Sequence, residues 1–226
     1  MSPAPLSPRS YSNVHPLAIP SPTSTLPYAS RIFKAVYAFS VPIQLPANTL
    51  PALLRECRRV LITGGTLHLT LLDPSPLPTT LGPNLRTWLD NHLLINLERQ
   101  FRCMNPSRLF PIWLSDAGLR ALGSTISTTN FNASPSDCSS PDSSKSSIDG
   151  FLITNGGREV EEKRKILAKS DGRRALKSQV GRMLWRETWG AFVEGDKWWW
   201  DDAVIIEECE RLGTVWEYAV IEAVNE

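Results

Sequence analysis

The residues with the strongest intrinsic chemistry, the thiols and the imidazoles, are scattered along the 226-residue chain. Their spacing matches none of the CxxC, HxxxH or HExxH patterns that hold a metal ion or a redox centre. A structural zinc site needs ligands clustered within a turn or knuckle, so the sequence predicts no metal site. The residues concerned are Cys57, Cys103, Cys138, Cys209, His15, His68 and His92.

His92 has a structural alternative to a catalytic role. It lies with Asn96 on the otherwise apolar stripe of a helix predicted over residues 83–103. A histidine in such a position is more often held by local hydrogen bonds at the edge of a core than poised for proton transfer. We therefore expect His92 to be structural.

The C-terminal acids and tryptophans are the remaining candidates. Asp201-Asp202 and Glu207-Glu208 are adjacent pairs, and adjacent residues on a helix point apart, which disfavours a shared metal ion. Asp201 is instead expected to be a helix N-cap. The tryptophans could line a pocket for a flat ligand or a cation, but a cap over a sheet is the favoured interpretation. They are Trp185, Trp189 and Trp198–Trp200.

The elements that would position these side chains begin with a strand. Ile32–Val41 is β-branched, aromatic and almost continuously apolar, which predicts a strand buried on both faces, as in a parallel sheet. A helix is predicted to start at Asn48 or Thr49 and to break at Thr63-Gly64-Gly65. A second strand, Thr66–Leu72, follows. This βαβ unit implies parallel strands joined by a right-handed crossover.

The rest of the chain is mostly helical by its periodicity. The predicted elements are a helix over 83–103, a loop over 105–111, a small helix over 116–122, a strand over 124–133, helices over 158–170 and 173–193, a helix between Asp201 and Gly213, and a final strand over 214–224.

Two segments have a composition that cannot supply a core. Residues 1–30 contain seven of the 18 prolines, and residues 134–147 contain eight serines. We therefore predict a disordered leader over 1–30 and a disordered Ser-rich insertion over 134–147. The domain then spans residues 31–226 and includes a helical insertion over about 158–212.

Charge and hydropathy exclude several classes of partner. The chain has 24 Lys and Arg against 23 Asp and Glu, which disfavours binding to nucleic acid or to an anionic membrane. No apolar run reaches the roughly 18–20 residues of a membrane-spanning helix. No charged segment followed by an apolar one marks a secretion signal, so we expect a cytoplasmic or nuclear protein.

Residues 31–73 resemble the middle of a class I S-adenosylmethionine-dependent methyltransferase of the type 11 kind. The stretches that match the family's fourth strand, helix, Gly-Gly turn and fifth strand are RIFKAVYAFSVPIQLP, LPALLRECRRVL, ITGGT and LHLTLLD, although Ile62-Thr63 stands where the family has Lys-Pro. The last helix with EYAVIEAV resembles the family's closing helix and seventh, antiparallel strand. The resemblance implies an α/β fold: a partial Rossmann-like methyltransferase sheet of four or five strands, mostly parallel with an antiparallel last strand, and helices on both faces.

The resemblance also implies a site. Ligands of doubly wound sheets bind beyond the carboxyl ends of the strands. Phe39, Ser40, Val41 and Gln44 would therefore lie beside the adenine or the methyl group of S-adenosylmethionine. Asp73 would face the pocket for a small-molecule methyl acceptor; its other interpretation is a turn acid before a proline. Methyl transfer is an in-line displacement that needs position rather than a nucleophilic triad.

The family's glycine-rich cofactor loop, E/D-x-G-x-G-x-G, has no counterpart in the sequence. The matching residues correspond to the C-terminal half of the family's domain, so we expect a truncated domain. The first hypothesis is a methyltransferase-like protein whose S-adenosylmethionine-dependent transfer to a small molecule is impaired. The sequence leaves open whether the chain is an enzyme.

The second hypothesis is a degenerate, non-catalytic methyltransferase fold that acts as an interaction or dimerisation module. A strand without a neighbour exposes unpaired N–H and C=O groups, which favours a homodimer or a partner along that sheet edge. A third hypothesis is an unrelated α/β protein with a coincidental Gly-Gly turn, in which the strand over residues 32–41 would not be interior.

Overall fold

A computed structural model describes residues 25–135 and 157–226, with side chains described from residue 172 in the second range. Most of the predicted leader and of the predicted Ser-rich insertion lies outside the described residues. Residues 26–30 are tied to the folded domain: the backbone N–H of Leu26 donates to Glu56, and Arg59 donates to the carbonyl oxygens of Leu26 and Tyr28. The last residues of the predicted leader are therefore hydrogen-bonded to Glu56 and Arg59.

A four-stranded sheet forms the centre of the described structure. In chain order its strands are β1 (Phe33–Phe39), β2 (Leu61–Leu72), β3 (Thr125–Asn132) and β4 (Val215–Val224). Their spatial order is β1-β2-β4-β3. β1 and β2 are parallel, whereas β4 is antiparallel to both of its neighbours, so three strands share one direction and the last opposes them. The predicted α/β class and the antiparallel last strand are confirmed.

The predicted βαβ unit is present, but its helix and its second strand are joined differently from the prediction. After β1 come a short helix α1 (Val41–Gln44) and α2 (Leu50–Val60), whose second residue is a proline that loses no hydrogen bond there. The predicted break at Thr63-Gly64-Gly65 is wrong, because β2 starts directly at Leu61. These residues instead form a bulge within β2, where Gly64 has φ of 75°. A side chain on Gly65 would place its Cβ 2.9 Å from the carbonyl oxygen of Ile62.

Helices cover the sheet from both sides. They are α3 (Pro83–Leu89), which continues through a π-helical turn (Asp90–Leu94) into α4 (Ile95–Arg99), then α5 (Pro106–Asp116), α6 (Gly157–Trp189) and α7 (Ala203–Leu212).

Several of the predicted helix boundaries are wrong, and the helices predicted over 158–170 and 173–193 are one continuous helix, α6. The predicted loop over 105–111 belongs to α5, whose first residue is a proline, and the predicted helix over 116–122 is absent. A proline at the first helical position is compatible with a helix, because its missing N–H would have no partner there. The N-cap of α7 is Asp202, which accepts from the backbone N–H of Val204, rather than Asp201.

The two faces of the sheet are covered unequally. On one face, α2 and α5 pack on alternate residues of β2 and β4. On the other face, α3, α6, α7 and the tryptophans cover the part near Leu72 and Trp216. The remainder is open: Tyr37 is 64% exposed and Phe39 is 68% exposed. We call this region the open face. The prediction that β1 is buried on both faces is wrong, because within the described residues β1 is an edge strand whose second face lacks a covering helix.

Truncation of a core side chain on β2 tests this packing. Leu67 is fully buried between the sheet and the α2–α5 layer, so Leu67→Ala should lower the free energy of unfolding by about 2–5 kcal/mol. The matched control Leu122→Ala, at a fully exposed leucine, should change it by less than about 0.5 kcal/mol. Urea titration followed by circular dichroism measures both, and equal effects would contradict the described core.

Candidate functional site

The carboxyl ends of β1 and β2 meet at one edge of the sheet because the two strands are parallel neighbours. Phe39 ends β1 and is in register with Thr70 of β2. Asp73 follows three residues later, about 10 Å further along at roughly 3.3 Å per residue. This is the edge at which doubly wound sheets bind their ligands. The structure therefore places the predicted cofactor residues and the predicted acceptor residue at the same edge.

The turn after β1 has an unusual backbone. Ser40 adopts φ 55° and ψ 31°, in the left-handed region that residues with a Cβ rarely enter. The side-chain amide of Gln44 donates to the carbonyl oxygen of Phe39 over 3.4 Å. The backbone N–H of Ile43 donates to the carbonyl oxygen of Ser40 over 3.2 Å. Strained turns of this kind recur at ligand sites, where they direct backbone groups outward.

The four predicted cofactor residues do not share one environment. Phe39 and Gln44 are exposed and Ser40 is half-buried, so a ligand can reach these three side chains. Val41 is only 4% exposed and packs in the core with Leu45, so its side chain is unavailable. The exposed ring of Phe39 fits stacking on an adenine, whereas this turn contains no carboxylate for ribose hydroxyls. A role in cofactor binding stays a prediction for all four.

Asp73 caps a helix as well as facing the edge. Its Oδ1 accepts from the backbone N–H of Ser107 at 2.9 Å, and its Oδ2 accepts from the Ser107 hydroxyl. Ser107 lies in the first turn of α5, where backbone N–H groups lack partners within the helix. Burial raises the pKa of Asp73, and this outweighs the opposing effects of the Ser107 hydrogen bonds and of Arg108. The turn-acid interpretation is thus refined to a helix cap.

A cavity of about 380 Å³ lies beside Asp73. Ser107 and Arg108 line it from the start of α5, and Glu217 lines it from β4. Its size is in the range of small-molecule sites, and a few polar groups within an apolar wall are typical of them. The arrangement can orient a small polar molecule through a carboxylate, a hydroxyl and a guanidinium.

Sequence reasoning missed three residues of this cavity, Ser107, Arg108 and Glu217. The first two fall in the predicted loop over 105–111. Asn105-Pro106 was the available signal, since a proline at the first helical position often starts a helix. The alternation of the last strand was the signal for Glu217, because it places this acid on the face opposite Trp216.

A second constellation lies on the open face. The rings of Tyr37 and His68 stack with centroids 4.4 Å apart and an angle of 8°. The hydroxyl of Thr66 and Nε2 of His68 are 3.0 Å apart, and Glu222 is the cross-strand neighbour of His68 on β4. From the sequence, His68 was considered only as a metal ligand, and Tyr37, Thr66 and Glu222 were not singled out. They form an aromatic and polar surface rather than a cavity.

His92 is structural, as expected. Its Nδ1 is 2.6 Å from the carbonyl oxygen of Glu194, which requires that this nitrogen carry the proton and donate it. The imidazole also stacks on Trp88 with centroids 5.0 Å apart. Asn96 donates to the carbonyl oxygen of Phe192 at 3.2 Å, so both polar residues hold the segment that follows α6.

The tryptophans form a buried cap, which was the favoured interpretation. Trp185, Trp199 and Trp216 are fully buried, and the rings of Trp199 and Trp216 stack at 4.9 Å. The indole N–H groups of Trp185 and Trp216 both donate to the carbonyl oxygen of Pro74. The cap therefore fixes the segment immediately after Asp73, at one wall of the cavity.

The described cysteines are not activated as nucleophiles. Burial raises the pKa of Cys57 and of Cys209 to about 11, so both are thiols at neutral pH. Within residues 25–135 and 172–226, whose side chains the structure describes, no three His, Cys, Asp or Glu side chains lie together as metal ligands. In the same part of the chain, no helix combines the length and apolarity required to cross a bilayer.

Comparison with known proteins finds similar solved structures but no matching family model and no matching curated protein. A putative methyltransferase from Bacillus halodurans is 13% identical, with a TM-score of 0.37, over 89% of this chain and 68% of its own. Phosphoethanolamine N-methyltransferase 2 from Haemonchus contortus, with phosphomonomethylethanolamine and S-adenosylhomocysteine, is 12% identical with a TM-score of 0.37, over 88% and 34%. The [4+2]-cyclase SpnF is 15% identical with a TM-score of 0.33, over 89% and 54%. At these identities and scores, the likeness assigns no activity to this chain, which spans from a third to two thirds of those proteins.

Substitutions of Asp73 separate its role as a helix cap from the effect of its charge on stability. Asp73→Ala should lower the free energy of unfolding by about 1 kcal/mol, because the N–H of Ser107 loses its acceptor. Asp73→Asn should cost less, since the amide oxygen can still accept. Because the pKa of Asp73 is raised in the folded protein, folding takes up a proton as the pH falls toward the ordinary aspartate range.

The stability of the natural protein should therefore rise relative to Asp73→Asn between pH 7 and pH 4. Urea titrations of the two proteins at both pH values measure this difference. A relative loss of stability on acidification would contradict the assigned environment of Asp73.

Proposed function

We propose that this chain carries one wall of an S-adenosylmethionine-dependent methyl-transfer site that acts on a small molecule. The observation that supports it most is the parallel β1–α2–β2 unit, whose carboxyl ends lie at one sheet edge beside the cavity at Asp73. The antiparallel β4 next to β2 is the last strand that the resemblance to the methyltransferase family implies.

The cofactor would lie against the end of β1. Phe39 offers an exposed ring on which adenine can stack, and aromatic faces attract a sulfonium cation. Gln44 and the turn at Ser40 offer polar groups beside it. S-adenosylmethionine would supply the methyl group, and the residues of this chain would orient it toward the cavity.

The methyl acceptor would occupy the cavity beside Asp73. The hydroxyl of Ser107 and the guanidinium of Arg108 can orient its polar groups, and the carboxylate of Asp73 can accept a hydrogen bond from an acceptor hydroxyl or amine. The raised pKa of Asp73 brings this carboxyl closer to the range in which it exchanges a proton near neutral pH. Because the sequence has no glycine-rich cofactor loop, the proposed transfer is slow and the affinity for the cofactor is low.

Isothermal titration with S-adenosylmethionine and with S-adenosylhomocysteine tests this proposal. We expect saturable heat at millimolar ligand or below. Phe39→Ala should weaken binding about threefold to tenfold, because it removes an aromatic stacking surface. The control Ile112→Ala, at a similarly exposed apolar residue on α5, should bind as the natural protein does.

The absence of heat at millimolar ligand would contradict cofactor binding. Equal weakening by both substitutions would contradict its placement at the end of β1. A circular dichroism spectrum of each variant verifies that the fold is retained.

The free edge of β1 favours a second candidate, a non-catalytic interaction or dimerisation module. Among the described residues, β1 pairs only with β2, so its outer N–H and C=O groups have no strand partner. Tyr37 and Phe39 stand exposed beside this edge. An edge strand with exposed aromatic residues is a template for pairing with another chain. The third hypothesis, an unrelated α/β protein, also predicts that β1 is not an interior strand.

Size-exclusion chromatography with light scattering tests whether the chain dimerises through β1. If β1 pairs with a second copy, the chain should elute as a dimer at micromolar concentration, and the double substitution Tyr37→Ser and Phe39→Ser should shift it toward the monomer. Ile112→Ser should leave the dimer intact, because α5 exposes this residue on the far side of its helix from the sheet. A stable monomer at every concentration would contradict edge pairing.

A further inference from the structure

An arginine-rich cavity lies at the opposite edge of the sheet, where β1 and β2 begin. Its volume is about 440 Å³. Four arginines line it, whereas Glu226 is the one acidic residue among its lining residues. Its arginines are Arg31, Arg55, Arg58 and Arg59. We call it the arginine cavity.

The local fold brings these arginines together from two segments. Arg55, Arg58 and Arg59 lie three and four residues apart on α2, so they share one face of the helix. The chain entering β1 then binds the end of that helix: the backbone N–H of Arg31 donates to the carbonyl oxygen of Arg59 at 2.9 Å. Arg31 thereby adopts φ of 59°, a left-handed conformation that is uncommon for a residue with a long side chain.

One of the four charges is already neutralised. Arg59 forms an ion pair with Glu56 at 2.8 Å and also donates to the carbonyl oxygens of Leu26 and Tyr28. Glu56 raises the pKa of Arg59, mainly through this hydrogen bond and also through its charge. Arg59 therefore stabilises the approach to β1, and it is not available to a ligand.

The other three charges have no such partner. Within the described residues, no carboxylate lies within ion-pair distance of Arg31, Arg55 or Arg58. Like charges gathered in one concavity repel one another, and the repulsion is relieved when an anion enters. The hydroxyl groups of Ser30 and Thr63 also line the cavity and can add hydrogen bonds to that anion.

The helix dipole explains only part of this cluster. Arg58 in the last turn of α2 interacts favourably with the negative end of the helix. Arg55 lies more than a turn from that end, and Arg31 lies outside the helix. Their convergence with Arg58 thus points to a ligand rather than to helix capping alone.

We propose that the arginine cavity binds a small phosphate-bearing anion. Guanidinium groups match the geometry of phosphate oxygens and donate two hydrogen bonds to them at once. A cavity of about 440 Å³ has the size of a small-molecule site. A net charge of +1 over the whole chain is unlike that of a protein that binds an extended polyanion. This site is separate from the proposed methyl-transfer site, because it lies at the other ends of β1 and β2.

Isothermal titration with inorganic pyrophosphate, at constant ionic strength in a phosphate-free buffer, tests the proposal. We expect saturable binding that Arg55→Gln and Arg58→Gln each weaken about tenfold, since each removes a charge-assisted hydrogen bond. The matched control is Arg99→Gln, because Arg99 is also exposed in the last turn of a helix but lies outside the cavity. This control should bind pyrophosphate as tightly as the natural protein.

Three results would overturn the proposal. They are an absence of pyrophosphate binding at millimolar concentration, binding that neither cavity variant weakens, and equal weakening by Arg99→Gln, which would indicate general charge attraction. Binding to phosphatidylserine vesicles without binding to pyrophosphate would also contradict a small-molecule site. Arg55 is exposed on α2, so its variant stays informative even if Arg58→Gln were to unfold the protein.

Discussion

The parallel pairing of β1 with β2 is the constraint on which the rest of the structure depends. A parallel pair requires a crossover, and α2 provides it by packing Leu50, Leu54 and Cys57 against the sheet. The pairing brings both carboxyl ends to one edge, where the turn at Ser40 and the cavity at Asp73 lie. It brings both amino ends to the other edge, where the end of α2 gathers the arginines. Each edge therefore combines polar or charged side chains from residues that are distant in the sequence.

The second main feature of this fold is that helices cover the two faces of the sheet unequally. One face is closed by α2 and α5, and the tryptophan cap closes part of the other by binding Pro74 through two indole N–H groups. The open face keeps Tyr37 and Phe39 exposed beside an unpaired strand edge. Apolar surface of this kind is a site of ligand or protein binding. In our two proposals the same residues would serve either as a stacking surface for a cofactor or as a pairing edge.

The sequence predicted the elements that have a strong period and missed those that depend on tertiary contacts. β2, β4 and α2 followed from apolar alternation or a helical stripe. α5 did not, and its first turn is capped by Asp73, which lies 34 residues away in the sequence. The continuous apolarity of β1 indicated a doubly buried strand, yet strand composition alone does not reveal its position in the sheet. The cavity at Asp73 and the arginine cavity depend on long-range packing, which no local pattern encodes.

The central claim is that the carboxyl end of β1 binds S-adenosylmethionine. Hydrogen–deuterium exchange with and without S-adenosylhomocysteine tests it most directly, because it locates binding along the chain and does not require turnover. The account predicts slower exchange over residues 39–44, with no change in the arginine cavity at residues 55–63. Unchanged exchange over residues 39–44 at saturating ligand, or protection confined to another part of the chain, would contradict it.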